Sequence, residues 1–176
     1  MRRLTVHVFC FWLYDEIMRW LSFLFRGKEP VLTGDVIDLI EERKERPADY
    51  NQYVLTFYYG IYLHNRRVRI GNCDLRIGHN DELYYAGNIG YHIDPAFRGH
   101  HYAYEACRLM VEEAVKNRMD YLLITCSPGN VASQKTIEKL GAKYLETTDV
   151  PCDHWLYQRG ETVKRIYQYS CMSEAG

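Results

Sequence analysis

The chain has 176 residues, of which 47% are hydrophobic, and its formal net charge is −1. A chain of this length forms one domain that buries roughly 70% of the surface exposed when unfolded. The balanced charge excludes a global attraction to nucleic acid or to acidic substrates, so an anion site must be local. The six cysteines form no Cys-x-x-Cys pair, which predicts reduced, buried thiols in a cytoplasmic protein rather than a disulfide framework.

The N-terminus begins like a secretion signal, with Arg2 and Arg3 before an apolar run. Acidic and basic residues between positions 15 and 19 interrupt this run before it reaches the ~20 apolar residues of a membrane span. We therefore expect no membrane span, a strand over residues 4–11, and an amphipathic helix over residues 14–25 that packs in the core rather than on a membrane.

The segment after this helix is predicted to contain a second helix and then a meander. The apolar spacing of residues 36–40 favours a short helix that the charges of residues 41–46 and Pro47 end. The meander has three segments rich in aromatic and β-branched residues, with turns at residues 65–66 and 78–81 between them. These predicted strands cover residues 53–64, 67–77 and 84–94.

The second half of the chain alternates helices and strands. Apolar residues at steps of three and four predict an amphipathic helix over residues 103–116. This helix connects two strands, a pattern typical of a right-handed crossover. The further predicted elements are a buried strand over residues 121–125, a helix over residues 132–140 that ends before Gly141, a strand over residues 143–147, a loop over residues 148–153 and a strand over residues 162–171.

The junction between the third meander strand and the long helix predicts an anion site. Residues 90–103 run from a strand, through a turn that contains Arg98 and Gly99, into the first turn of the helix. The first amides of a helix have no acceptor within the helix and lie at the positive end of its dipole. A phosphate group is a typical ligand of such amides.

Two motifs in this region resemble those of the GNAT family of N-acetyltransferases. Arg98-Gly99-His100-His101-Tyr102-Ala103 resembles the family's Arg/Gln-x-x-Gly-x-Gly/Ala signature. Asn130 and Ser133, ahead of Glu138-Lys139-Leu140-Gly141-Ala142, resemble its second conserved block, about thirty residues further along. The resemblance covers roughly residues 53–147.

The resemblance implies a fold and a domain plan. The implied fold is a mixed α/β (α+β) domain with a mostly antiparallel twisted sheet, helices on both faces and a splayed central parallel strand pair. We expect one acetyltransferase-like domain over residues 1–176, with an N-terminal strand and helices (1–50), a cofactor-binding core (51–147) and a C-terminal loop and strand (148–176).

The resemblance also implies that acetyl-CoA is the cosubstrate, with its pyrophosphate on the amides of residues 99–103. Each such hydrogen bond to a charged acceptor contributes roughly 1.5–3 kcal/mol. The backbone of Ile93 is implied to meet the pantetheine or the acetyl carbonyl, and Asn130 and Ser133 to contact the pantetheine and phosphates from the other side. The cofactor-binding residues implied are Ile93, Arg98, Gly99, His100, His101, Tyr102, Ala103, Asn130 and Ser133.

His101 departs from the family signature, which has glycine at this position. The backbone amide survives this change. The imidazole can point away along the helix, or add a charge-assisted donor to the phosphates together with His100. Simple exposure at the helix start is an equal alternative.

Direct acetyl transfer needs a neutral amine, so a base must remove a proton. Family members often have a carboxylate on the strand before the motif and a tyrosine on the second helix, where this chain has Asn88 and Ile137. His92 is the best base, because imidazole titrates near neutrality. The alternatives are that His92 is a structural imidazole in the sheet, and that transfer relies on proximity with solvent as the proton acceptor. The further candidates are Tyr91, Glu105 and Tyr157.

The expected partner is an amine acceptor, either a small molecule or a peptide N-terminus. Family likeness implies that residues 14–40 and 148–160 shape its pocket, and their Trp, Tyr, Asp and Glu side chains suit a cationic amine. The pair Glu105-Ala106 resembles the branch that includes ribosomal-protein N-terminal acetyltransferases. A homodimer is left open.

The residues allow three other functions to be compared with acetyl transfer. A non-catalytic CoA-binding or partner-binding module is the alternative function, because the two usual catalytic side chains are missing and tyrosine is abundant. A metal site is not expected, since His92, Asp94 and the residues at 152–154 have no recognised ligand spacing. Nucleic-acid binding is not expected either, because the basic cluster at residues 66–69 suits a solvated turn.

Overall fold

The computed structural model describes residues 32–46 and 54–172, so the predicted strand over residues 4–11 and helix over residues 14–25 lie outside it. Two antiparallel sheets form in the described part. The first has five neighbouring strands in chain order: β1 (Leu32–Thr33), β2 (Ile37–Glu45), β3 (Leu55–Leu63), β4 (Arg69–Ile77) and β5 (Ile89–Ile93). The second has the order β6 (Tyr121–Cys126), β8 (Val163–Ser170), β7 (Lys143–Asp149).

Four α-helices connect these strands in the described residues: α1 (Asp81–Ala86), α2 (Tyr102–Lys116), α3 (Val131–Leu140) and α4 (Trp155–Gln158). The long helix α2 joins β5 to β6 and packs its apolar side on the five-stranded sheet. Its buried residues are Ala106, Cys107, Leu109, Met110, Val111 and Ala114. Together with alternate residues of β2 to β5 they form the main core, which matches the predicted amphipathic pattern.

The helix predicted over residues 36–40 is wrong, because this segment begins strand β2. Its apolar run suits either element in isolation, and pairing with β3 decides the outcome. The charged residues that were expected to end a helix instead continue the strand. Their side chains lie on aromatic rings of β3: the Arg43 guanidinium is 4.0 Å from the Tyr58 ring centroid, and Lys44 Nζ is 4.3 Å from that of Phe57.

The strand predicted over residues 84–94 is only partly correct, because its first residues belong to helix α1. The Asn80 side chain accepts a hydrogen bond from the Leu83 amide at 2.8 Å, and two acidic residues occupy the first turn. These are ordinary helix-start signals in a segment that was predicted as a turn. The short helix α4 was also not predicted, whereas the other helices and strands of the second half lie within a few residues of their predicted bounds.

The central strands β5 and β6 are splayed, since no ladder joins them in the described residues. They meet at Asn88, where the backbone amide donates to the Leu123 carbonyl at 2.6 Å and Oδ1 accepts from the Leu123 amide at 2.8 Å. Asn88 Nδ2 donates to the carbonyls of Arg76 and Gly78, at 2.9 and 2.8 Å. One fully buried amide therefore connects the two sheets.

The five cysteines in the described residues are free thiols, three of them buried, while Cys10 lies outside the description. Burial raises the pKa of the Cys73 and Cys107 thiols, so both remain protonated. Across residues 32–46 and 54–172, no helix has the length and apolar character needed to cross a membrane.

We expect Asn88→Ala to lower the free energy of unfolding by roughly 2–4 kcal/mol, because it leaves buried backbone groups of both sheets unpaired. Chemical denaturation monitored by circular dichroism measures this change. Asn72→Ala is the matched control, since Asn72 is an exposed amide on β4, and should change stability by no more than about 0.5 kcal/mol. Equal effects of the two substitutions would contradict the role given to Asn88.

Candidate functional site

The turn between β5 and α2 brings backbone amides to the end of the sheet. A short 3-10 turn over Pro95–Phe97 leads to Gly99 and His101, which both have positive φ angles, +84° and +61°. A Cβ atom at Gly99 would meet no atom within 4 Å, so glycine is needed there for its backbone conformation rather than for space. His101 occupies the N-cap of α2 without a side-chain cap hydrogen bond, a left-handed conformation that histidine tolerates better than most residues.

A cavity of about 560 Å³ lies between this turn, the end of β5 and helix α3. Eight of the nine residues implied as cofactor ligands line it: Ile93, Arg98, Gly99, His101, Tyr102, Ala103, Asn130 and Ser133. Both catalytic candidates, Tyr91 and His92, line it as well. His100 does not; its Nδ1 lies 3.0 Å from the Arg98 carbonyl and its ring stacks on Tyr102. The two motifs therefore converge on one cavity.

The Arg98 side chain connects the turn before α2 to the end of strand β5. Its Nε donates to the Ile93 carbonyl at 2.9 Å, so the guanidinium stays at the edge of the cavity. A charged donor of this kind makes a strong hydrogen bond. The signature arginine thus positions the end of β5 relative to the first turn of α2.

The second motif lies on the opposite wall of the cavity. Asn130 Oδ1 accepts from the Ser133 amide at 3.0 Å and caps helix α3. The Tyr91 hydroxyl lies 2.6 Å from Ser133 Oγ, which links β5 to α3 across the splay. Burial raises the pKa of Tyr91, so its phenol stays protonated and is suited to donate a hydrogen bond rather than to act as a base.

The two positions that the resemblance assigns to proton transfer hold buried structural side chains. Asn88 is fully buried, and its side-chain amide forms hydrogen bonds with backbone groups of both sheets. Ile137 is also fully buried and belongs to the core. Neither side chain is therefore available as a proton donor or acceptor in the cavity.

The other catalytic candidates differ in their access to the cavity. The His92 side chain is 55% exposed, and its Nε2 lies 3.7 Å from Asp94 Oδ1, beyond hydrogen-bond distance. Within the described residues the imidazole therefore has no hydrogen-bond partner, and it is accessible from the cavity. Glu105 instead accepts from Arg108 Nε at 3.1 Å, and Tyr157 is an exposed residue of α4. Neither of these two lines the cavity.

Sequence reasoning missed two lysines of the cavity. Lys135 and Lys139 both line it from helix α3, and Lys139 Nζ lies 4.4 Å from the centroid of the Tyr104 ring. Their spacing of four residues places both on one side of the helix that carries Asn130 and Ser133. That spacing was a readable signal. No group of three or more His, Cys, Asp or Glu side chains suited to a metal ion occurs within residues 32–46 and 54–172.

Residues 5–143 match the family model of the acetyltransferase (GNAT) domain. The chain belongs to this family. The match covers more of the chain than the two motifs do and includes the segment before β1. Comparison with curated proteins found no significant sequence match.

Solved GNAT structures share the fold at low sequence identity. A probable GNAT-family acetyltransferase from Chromobacterium violaceum is 15% identical with a TM-score of 0.57, over 82% of this chain and 89% of that one. A ribosomal-protein-S5-alanine acetyltransferase from Vibrio fischeri is 17% identical with a TM-score of 0.54, over 69% and 64%. A microcin C7 self-immunity acetyltransferase, solved with acetyl-CoA and AMP, is 17% identical with a TM-score of 0.50, over 65% and 61%. This GNAT chain therefore spans less than two thirds of the latter two proteins.

We expect Gly99→Val to weaken CoA binding at least about tenfold, because a β-branched residue is strained at a φ of +84° and distorts the turn. Isothermal titration calorimetry with CoA measures the loss. Gly129→Val is the matched control: this glycine precedes Asn130, has no positive φ, and a Cβ there meets no atom within 4 Å. Wild-type affinity in the Gly99 variant would remove the argument for an amide cradle.

Proposed function

We propose that this GNAT protein transfers an acetyl group from acetyl-CoA to a primary amine by direct transfer. The observation that carries the proposal is the convergence of the two motifs on one cavity at the splay of β5 and β6. The cavity fits the cosubstrate chemically, because it joins outward-pointing helix amides with the cations of Lys135 and Lys139. A pyrophosphate and a further phosphate both need such donors.

In this proposal the two walls of the cavity contact different parts of acetyl-CoA. The amides of residues 99–103 hold the pyrophosphate, and Asn130 and Ser133 contact the pantetheine from the side of α3. When bound, acetyl-CoA supplies the activated acetyl group as a thioester. The end of β5 at Ile93 guides the reacting end into the splay, where polar backbone groups are not committed to a β6 ladder.

Tyr91 and His92 have different roles in this proposal: His92 accepts a proton, and Tyr91 donates a hydrogen bond. They are consecutive residues of β5, so their side chains point to opposite faces of the strand. His92 takes one proton from the acceptor ammonium, and the free amine attacks the thioester carbonyl. As the C–S bond breaks, the nitrogen loses its second proton and the thiolate gains one, so that the amide and the CoA thiol are released. Tyr91, on the side of α3, donates a hydrogen bond to the departing thiolate. The reacting groups therefore meet at the edge of β5 beside the splay, where side chains of both faces line one cavity.

The acceptor is a small molecule or a peptide N-terminus. The second possibility is supported by the name of the Vibrio fischeri neighbour, a ribosomal-protein alanine acetyltransferase. Thiol release from acetyl-CoA, measured with a panel of amines and N-terminal peptides, identifies the acceptor class. We further propose that residues 1–176 form one acetyltransferase-like domain and that the protein is cytoplasmic, the latter in line with the free thiols of the described residues. Light scattering tests whether it forms a homodimer.

A non-catalytic CoA-binding module is the second candidate function. It is favoured by Asn88 and Ile137, which place structural side chains where GNAT enzymes often have an acid and a base. The two candidates differ in one measurement. A module of this kind binds CoA by calorimetry but releases no thiol above background with any amine of the panel.

We expect His92→Gln to lower turnover roughly tenfold or more, because glutamine keeps a polar side chain but cannot take up a proton. CoA affinity should stay nearly unchanged, since no cofactor contact is assigned to the imidazole. Steady-state kinetics and calorimetry measure the two quantities. His79→Gln is the control, because this imidazole stacks on Tyr121 away from the cavity. Unaltered turnover in the His92 variant would show that solvent accepts the proton.

We expect Tyr91→Phe to lower kcat roughly tenfold, because removal of the hydroxyl deletes one hydrogen bond to the leaving group. The ring remains, so CoA affinity should change little. Tyr104→Phe serves as the control, since Tyr104 lines the same cavity with its ring beneath Lys139. Equal rates for both variants and the wild type would contradict a role for the Tyr91 hydroxyl.

A further inference from the structure

A second cavity, of about 890 Å³, lies on the other face of the five-stranded sheet. Among its lining residues are Tyr58 and Arg76. These side chains alternate with Phe57 and Leu75, which are buried in the core with α2, so the cavity faces away from α2. Residues of α1 and of the loop before α4 complete its wall. The cavity therefore opens on the sheet face that carries His92 rather than Tyr91.

Asp74 lies between this second cavity and His92. It pairs with Tyr58 on β3 and with Gly90 on β5, so the three positions share one face of the sheet. A Cβ atom at Gly90 would lie 2.5 Å from Asp74 Oδ1. The carboxylate therefore occupies the space that the missing side chain of Gly90 leaves free. His92 is the next residue of β5 on the same face.

The two oxygens of Asp74 have different surroundings. Oδ2 lies 2.6 Å from Arg76 Nη2, while Arg76 Nη1 donates to the Gly87 carbonyl at 2.9 Å. Within residues 32–46 and 54–172 neither oxygen has a partner with hydrogen-bond geometry; Oδ2 is buried and is held only by the ion pair with Arg76, whereas Oδ1 is not among the fully buried atoms and has no charged partner. Burial raises the pKa of Asp74 and Arg76 opposes this. Arg76 thus holds the carboxylate in place and leaves one oxygen for a further cation.

Glu42 provides an internal comparison. Its carboxylate lies over Gly60 of β3, as that of Asp74 lies over Gly90. Both oxygens of Glu42, however, accept from Arg69, at 3.0 and 3.1 Å. A bidentate arginine pair of this kind uses the carboxylate fully. The two carboxylates share a local geometry and differ in the availability of an oxygen.

We propose that Asp74 Oδ1 binds a second cationic group of the acceptor, so that the substrate is a diamine-like cation rather than a simple monoamine. This inference rests on the proposed acetyl transfer, in which His92 receives the proton of the reacting nitrogen. His92 and Gly90 are two residues apart on β5, which corresponds to about 7 Å along the strand. The acceptor's two nitrogens are accordingly separated by about this distance, and the remainder of the molecule extends into the second cavity.

The test compares 1,4-diaminobutane with 4-amino-1-butanol, which keeps the length but replaces the second ammonium by a hydroxyl. Both are titrated calorimetrically into the full chain in the presence of CoA. The wild type should bind the diamine roughly tenfold to a hundredfold more tightly than the amino alcohol, as expected for one charged hydrogen bond. Asp74→Asn should abolish this preference while leaving CoA affinity unchanged. Glu42→Gln should retain the preference.

A second variant tests the same preference independently, in case Asp74→Asn does not fold. Gly90→Ala keeps the carboxylate but places a methyl group against Oδ1, so it should also reduce the preference. An unchanged preference in both variants, equal binding of the two compounds by the wild type, or binding of neither would overturn the proposal. Thiol release from acetyl-CoA distinguishes failure of the proposed acetyl transfer from failure of the proposed Asp74 site. Diamine binding without thiol release overturns only the acetyl transfer, whereas turnover of amines regardless of a second cation overturns only the Asp74 site.

Discussion

The site depends on the hydrogen bonds of Asn88 at the junction of the two sheets. Its backbone amide and side chain hold Leu123 of β6 on one side and the carbonyls of Arg76 and Gly78 on the other. The strands are connected at this point and share no ladder beyond it. Because unpaired backbone groups in a closed interior are unfavourable, a splay of this kind persists only where something else fills it. A cofactor that brings its own polar groups satisfies this condition.

The splay and the β5–α2 turn act together. The turn ends β5 with Arg98 bonded to Ile93 and starts α2 with a left-handed His101. It therefore directs the helix amides towards the gap between β5 and β6, which begins beyond Asn88. Tyr91 crosses the gap to Ser133 on α3, so the second motif reaches the same space. The substitution of histidine for glycine in the signature is accommodated by backbone conformation, since position 101 needs a positive φ and histidine can adopt it.

The alternation of β5 separates two chemical environments. Tyr91 and Ile93 face the core side, where burial keeps the phenol neutral. Gly90 and His92 face the other side, where Asp74 and Arg76 form an ion pair at 20% and 23% exposure. A glycine in a strand interior lowers strand stability, and a largely buried carboxylate adds a desolvation penalty. Both features lie at the position of the proposed Asp74 site.

The sequence by itself predicted the turn that lines the cavity, because short-range signals specify it: the strand-turn-helix junction at Arg98 and Gly99 and the amphipathic period of α2. The tertiary structure alone decided the rest. Residues 36–40 carry an apolar run that suits helix or strand, and only pairing with β3 selects the strand. Asn88 occupies the position at which the resemblance predicts a base, and only its contacts with two sheets show that it is structural. Asp74 lies sixteen residues before Gly90 in the chain, and their proximity follows from strand register, which arises from long-range pairing rather than from local sequence.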